Sequence, residues 1–96
     1  MKRKDWMNKM RFSHINQGTC SRNVSFDIDE EGKLRNVVFN GGCSGNLQGI
    51  GKLVEGMDAG EAMERLSGIR CGYKTTSCPD QLADAIRKAM EEIKNA

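Results

Sequence analysis

Gly-Gly-Cys-Ser-Gly-Asn, residues 41–46, joins a strand-like run to a helix-like run through a cysteine, and this junction indicates a mixed α and β domain. Three other cysteines, Cys20, Cys71 and Cys78, complete the set of four in the chain. Each lies beside Gly, Ser, Thr or Pro turn residues, whereas core cysteines usually lie inside apolar periodic runs. We therefore expect Cys20, Cys43, Cys71 and Cys78 to converge on one site that binds a metal or carries redox chemistry.

The first half of the chain has the pattern of a β-hairpin. Val24, Phe26 and Ile28 alternate with polar residues, as in a strand with one buried face. A turn over residues 29–32 leads to a second β-rich run over residues 34–39. An additional short extended piece is expected over residues 11–15.

The hairpin also predicts where the first two cysteines meet. Cys20 lies at the start of one strand, and Cys43 lies just past the end of the neighbouring strand. In an antiparallel pair these two ends are adjacent, so Cys20 and Cys43 are expected to be neighbours in space.

The second half has helical spacing. Apolar residues recur at helical intervals before Gly56, and Asp58 with Glu61 has the pattern of a capping box for a short second helix. A last helix opens at Ser77-Cys78-Pro79-Asp80 and carries a predicted buried stripe. The stripe consists of Leu82, Ile86, Ala89 and Ile93. The fold class predicted is α+β, with an antiparallel sheet of about three strands packed against C-terminal helices.

Length and charge restrict the protein class. A chain of 96 residues makes one small domain, here residues 11–96, preceded by a flexible basic tail over residues 1–10. The net charge of +2 does not by itself indicate nucleic acid or membrane binding, and no recognised nucleic-acid-binding motif accompanies the basic cluster near the start of the chain. No signal peptide or membrane span is expected, so the predicted location is the cytoplasm. Trp6 is interpreted as a hydrophobic plug on the domain edge.

The positions of the cysteines favour metal or redox chemistry. In a reducing compartment, standing disulfides are not expected. Cys43 and Cys78 lie at or just before helix starts, where lowered thiol pKa values are expected. The spacings of 23, 28 and 7 residues contain no Cys-x-x-Cys knuckle, so burial as small apolar side chains stays an alternative. His14 is expected to be exposed or hydrogen bonded rather than a metal ligand.

Three motifs resemble the small bacterial TSCPD domain family. They are Thr76-Ser77-Cys78-Pro79-Asp80, the junction at residues 41–46, and Gly18-Thr19-Cys20. The resemblance covers nearly the whole chain after the tail. Members of that family stand alone or occur near the C-terminus of vitamin B12-dependent ribonucleotide reductases. The resemblance implies an accessory role in deoxynucleotide synthesis, with the four cysteines as a zinc site or a thiol relay.

A looser resemblance concerns architecture. The order of hairpin, Gly-Cys-Ser before a helix, and a cysteine opening the last helix is similar to the U-type iron-sulfur cluster scaffold proteins. Cys20, Cys43 and Cys78 would be the counterparts of the three cluster ligands of that family. The sequence departs from that pattern at Arg22, where the family has aspartate, and at Ser77, where it has histidine.

Three functions follow as alternatives. The first is a zinc-binding or thiol-redox accessory module linked to ribonucleotide reduction, with a ribonucleotide reductase or a thiol-redox protein as partner. In a relay, Cys78 would attack and Cys71 would resolve. The second is an iron-sulfur scaffold or carrier, and the third is a metal-free interaction domain. The chain is too short for a complete ribonucleoside-diphosphate reductase, and whether it catalyses a reaction is left open.

Overall fold

A computed structural model describes residues 9–19, 21–42, 44–70, 72 and 76–95 of the chain. The described residues form three strands followed by three helices, which confirms the predicted α+β class. The strands are β1 (Lys9–Ile15), β2 (Ser21–Asp29) and β3 (Leu34–Gly41). The helices are α1 (Ser44–Val54), α2 (Ala59–Leu66) and α3 (Cys78–Asn95). Residues 1–8 of the predicted tail lie outside the described residues, and the last two residues of its range begin β1.

The sheet has the order β1-β2-β3, and both pairs of neighbouring strands are antiparallel. Val24, Phe26 and Ile28 of the central strand are at most 4% exposed, as their alternation predicts. At the far end of the hairpin, Gly32 has a φ of +81°, which a residue with a Cβ adopts only at a cost. The predicted hairpin is confirmed.

Helix α1 follows β3 directly and packs against it. A Cβ built on Gly51 would lie 3.0 Å from the main-chain oxygen of Val37, so this glycine permits close contact between helix and strand. A Cβ on Gly45 or Gly49 would meet nothing within 4 Å. Close packing against β3 therefore accounts for the glycine at position 51 but not for those at positions 45 and 49.

Helices α2 and α3 close the core. The carboxylate of Asp58 accepts a 3.0 Å hydrogen bond from the main-chain N–H of Glu61, so Asp58 is the predicted N-cap of α2. On α3, Leu82, Ile86 and Ala89 are buried against the sheet residues. Ile93 differs from the prediction because it is 38% exposed. The last turn of α3, residues 91–94, is exposed throughout, so the helix extends beyond the core.

Within the described residues, none of the helices combines the length and the apolar character that crossing a membrane would require.

Candidate functional site

Cys78 is the first residue of α3, and its side chain is buried at the end of the sheet. The residue is 7% exposed, and its Sγ lies 2.9 Å from the Oγ of Ser21, the first residue of β2. Asn16 Nδ2 donates a 2.7 Å hydrogen bond to the same Oγ. Because the oxygen accepts from Asn16, the hydroxyl proton of Ser21 can be directed to the sulfur.

Cys20, Cys43 and Cys71 lie outside the described residues, so the site is described through their neighbours in the chain. Ser21, which follows Cys20, contacts Cys78 and is the register partner of Gly41 on β3. A register shift between Ser21 and Asn23 gives this alignment. The open end of the hairpin, where β2 starts and β3 ends, therefore lies at the start of α3.

The connection before α3 is attached to the same place. Ser77 Oγ donates a 2.6 Å hydrogen bond to the main-chain oxygen of Ile69. The main-chain N–H of Gly68 donates a 2.7 Å hydrogen bond to Asp80 Oδ1. The segment that leads towards position 71 is thus fixed against the first turn of α3 by two hydrogen bonds.

Gln81 connects the first strand and the turn after it to α3. Its Oε1 accepts from the main-chain N–H of Gln17 at 3.0 Å and lies 3.1 Å from His14 Nε2. Its Nε2 donates to Thr76 Oγ1 at 3.1 Å. Gln81 is 9% exposed, so these bonds are largely shielded from water. His14 is a hydrogen-bonded side chain here, as the sequence interpretation favours.

The residues of the Thr-Ser-Cys-Pro-Asp motif have distinct structural roles. Thr76 Oγ1 donates a 2.5 Å hydrogen bond to Asp80 Oδ2, and the main-chain N–H of Asp80 donates to Ser77 Oγ at 3.1 Å. Ser77 is therefore the N-cap of α3, and Pro79 lies in the first turn, where its missing N–H costs nothing. Sequence reasoning did not identify the cap or the role of Gln81, although Ser-x-x-Asp before an apolar helix is a capping signal.

An apolar groove opens beside Cys78. It has a volume of about 600 Å³ and lies between α1 and the connection before α3. Its apolar lining includes Leu47, Ile50, Leu53 and Ile69. Leu53 is 79% exposed.

Cys78 is the one cysteine among the described residues, and in that part of the chain no three or more His, Cys, Asp or Glu side chains form a group that could hold a metal ion. Carboxylates near Cys78 are already engaged. Both oxygens of Asp80 accept hydrogen bonds, one from Gly68 and one from Thr76. A metal held at the start of α3 by three or more side chains of these types would therefore need at least one donor from outside the described residues.

Comparison with known proteins identifies the family. The family model of the TSCPD domain matches residues 2–90, which is most of the 96-residue chain. No curated protein matches the chain, and no solved structure does. The motif whose hydrogen bonds fix the start of α3 is the pentapeptide for which the family is named. The chain therefore belongs to the TSCPD domain family.

Proposed function

We propose that this protein is a metal-binding accessory module in which Cys20, Cys43, Cys71 and Cys78 together hold one zinc ion. The observation that carries the proposal is that described neighbours of the first three cysteines lie around Cys78. Ser21 contacts its sulfur, Gly41 pairs with Ser21, and Ile69 is hydrogen bonded to Ser77. Two further hydrogen bonds hold these segments to the first turn of α3: Gln81 accepts from Gln17, and Asp80 accepts from Gly68.

The donor set fits zinc. Four thiolates in a tetrahedral arrangement make a closed structural zinc site, in which the metal contributes directly to folding. A chain of 96 residues with 38% hydrophobic residues has a small core, and a bound metal would add to its stability. The start of an 18-residue helix favours negative charge at Cys78. The Ser21 hydroxyl, 2.9 Å from the sulfur, would donate to a metal-bound thiolate, because a thiolate can only accept.

The burial of Cys78 favours a structural metal site over thiol exchange. A thiolate that attacks a disulfide must be accessible to its partner. Cys78 is 7% exposed and its sulfur contacts Ser21. In the relay alternative, with Cys78 attacking and Cys71 resolving, the start of α3 would have to open first.

The biological role follows from the family resemblance. It implies that the zinc module assists ribonucleotide reduction, by binding a vitamin B12-dependent ribonucleotide reductase. Isothermal titration calorimetry of the zinc-loaded protein with such a reductase tests this part. Binding to the reductase that is lost when a chelator removes the zinc would support this role. Absence of binding would contradict the proposed partner, and the zinc site would still be tested separately.

Metal analysis of protein purified without oxygen tests the zinc site. We expect one zinc per chain, no visible colour, and loss of the zinc in each of the four single Cys→Ser variants. Ser13→Ala, an exposed serine on β1, is the control that should keep its zinc. Brown protein containing iron and sulfide would favour the cluster alternative. Four titratable thiols without any metal would contradict both metal sites and favour the metal-free interaction domain.

A further inference from the structure

A second apolar groove lies at the opposite end of the sheet from Cys78. It has a volume of about 500 Å³ and is bounded by the hairpin turn, the first turn of α2 and the last turns of α3. Its apolar lining consists of Ile28, Ala59, Met63, Met90 and Ile93. Met90 and Ile93 are each 38% exposed, so this lining includes large apolar side chains that the described residues leave partly uncovered.

The chain enters the sheet beside this groove. Lys9, the first residue of β1, is the register partner of Asp29, and Met10 is the register partner of Ile28. Ile28 itself lines the groove. Lys9 therefore lies at the end of the sheet that borders the groove, and eight residues precede it in the chain. They also lie mostly within the family match, which begins at residue 2.

We propose that Trp6 fills this groove within the same chain and covers Met90 and Ile93. Trp6 precedes Lys9 by three positions, a reach of roughly 10 Å for an extended chain. A tryptophan buries about 150–250 Å² of surface, enough to cover several partly exposed side chains. The short tether gives Trp6 an effective concentration of about millimolar or higher, which favours it over a second copy of the chain. Residues 2–8 would then belong to the packed domain.

Fluorescence tests this proposal directly because Trp6 is the sole tryptophan of the chain. In the full-length protein we expect emission shifted to shorter wavelength than that of N-acetyltryptophanamide in the same buffer. Acrylamide should quench the protein less than the free compound. Both effects should be independent of protein concentration and should disappear in denaturant. Emission and quenching equal to those of the free compound would overturn the proposal.

Variants locate the contact. Met90→Lys places a charge in the groove at a partly exposed position, so the fold should be retained, and the emission should shift to longer wavelength. Leu53→Lys makes a similar change at a residue that is 79% exposed on α1, and it should leave the emission unchanged. Far-ultraviolet circular dichroism checks that both variants fold. If Met90→Lys does not fold, Ile93→Lys in the exposed last turn of α3 replaces it.

Two results would overturn the intramolecular contact. In the first, the emission shift to shorter wavelength weakens on dilution, and analytical ultracentrifugation shows an oligomer that dissociates over the same concentration range. This result would assign the groove to a second copy of the chain. The second is an emission that neither Met90→Lys nor Ile93→Lys changes in folded protein, which would show that Trp6 lies elsewhere.

Discussion

The Oγ of Ser21 lies 2.9 Å from the Sγ of Cys78, although the two residues are 57 positions apart in the chain. The contact joins the start of the central strand to the start of the last helix. Both residues are buried, at 3% and 7% exposure, so the hydroxyl and the sulfur interact in a site that excludes most water. A hydrogen bond to a metal-bound thiolate in such a site tunes the affinity for the metal.

If the four cysteines hold zinc as proposed, Ser21→Ala should weaken zinc binding without removing a ligand. We expect a loss of roughly 10-fold to 100-fold in zinc affinity, the range found when outer partners of metal ligands are removed. Competition with a chromogenic chelator measures this loss. Ser13→Ala, on the exposed part of β1, should keep the affinity of the original protein. Equal affinities for the two variants would contradict a hydrogen bond from Ser21 to a metal-bound sulfur.

Ser77→Ala should destabilise the fold even without metal. It removes the N-cap of α3, which typically contributes about 1 kcal/mol, and the hydrogen bond to the carbonyl of Ile69, which contributes roughly 0.5–1.5 kcal/mol. Urea unfolding of zinc-free protein should show a loss of about 2 kcal/mol. Ser67→Ala changes an exposed serine after α2 and should stay within about 0.5 kcal/mol of the original. Similar midpoints for both variants would refute the role of Ser77.

Gly51→Ala and Gly49→Ala should have opposite effects, although both replace a glycine of α1. At Gly51 the new Cβ would lie 3.0 Å from the oxygen of Val37, and such overpacking costs about 1–3 kcal/mol. At Gly49 the Cβ meets nothing within 4 Å, so the alanine should stabilise the helix by about 0.5–1 kcal/mol. Thermal unfolding followed by circular dichroism compares the two. Stabilisation by both alanines would mean that α1 can move away from β3.

The sequence was most informative where a local pattern determines local structure. The alternation of Val24, Phe26 and Ile28 predicted the central strand because a strand has a side-chain period of two. Asp58 predicted its helix start because an N-cap bonds to an N–H only three residues away. The register of β2 with β3 was less accessible. Asn36 has a φ of +57° beside a register shift, and no nearby glycine signals this irregularity.

At the candidate site, the sequence predicted where Cys78 lies in the fold but not the contacts around it. The order of elements placed Cys78 at a helix start, where it is 7% exposed, and the convergence of Cys20, Cys43 and Cys71 on it stays a prediction. The contact of Ser21 with Cys78 and the contacts of Gln81 Oε1 with the β1 end of the chain join residues 57 to 67 positions apart. Such contacts depend on how the helices pack on the sheet, and a periodic pattern does not encode them.

Asp29 should make the stability of the hairpin depend on pH. Its pKa is lowered from the usual value of 3.8, chiefly by the main-chain N–H of Lys33, with further contributions from Arg35 and the N–H of Glu31, while partial burial opposes them. A lowered pKa stabilises the fold above the unfolded value, and this contribution is lost as the pH falls through the folded value. Asp29→Asn should therefore be less stable than the original protein at neutral pH, and the difference should shrink below about pH 4.

Urea unfolding between neutral pH and about pH 2 measures the effect of Asp29. Glu31→Gln is the matched control, because it neutralises an exposed carboxylate in the same turn. The control should not lose stability at neutral pH, so its free energy of unfolding should not show a difference from the original protein that disappears in acid. A constant difference between Asp29→Asn and the original protein across this range would show that the hydrogen bonds of the turn do not depend on the charge of Asp29.

Gln81→Leu should weaken the attachment of the turn after β1 to helix α3. The substitution removes the acceptor for Gln17 N–H and His14 and the donor to Thr76, and each such hydrogen bond contributes roughly 0.5–1.5 kcal/mol. We expect a loss of at least about 2 kcal/mol in metal-free protein and faster transfer of zinc to a chelator. Gln17→Leu is the matched control, since Gln17 contributes its main-chain N–H and its side chain is exposed. If zinc transfer is equally slow in both variants, Gln81 stabilises the fold without positioning the metal site.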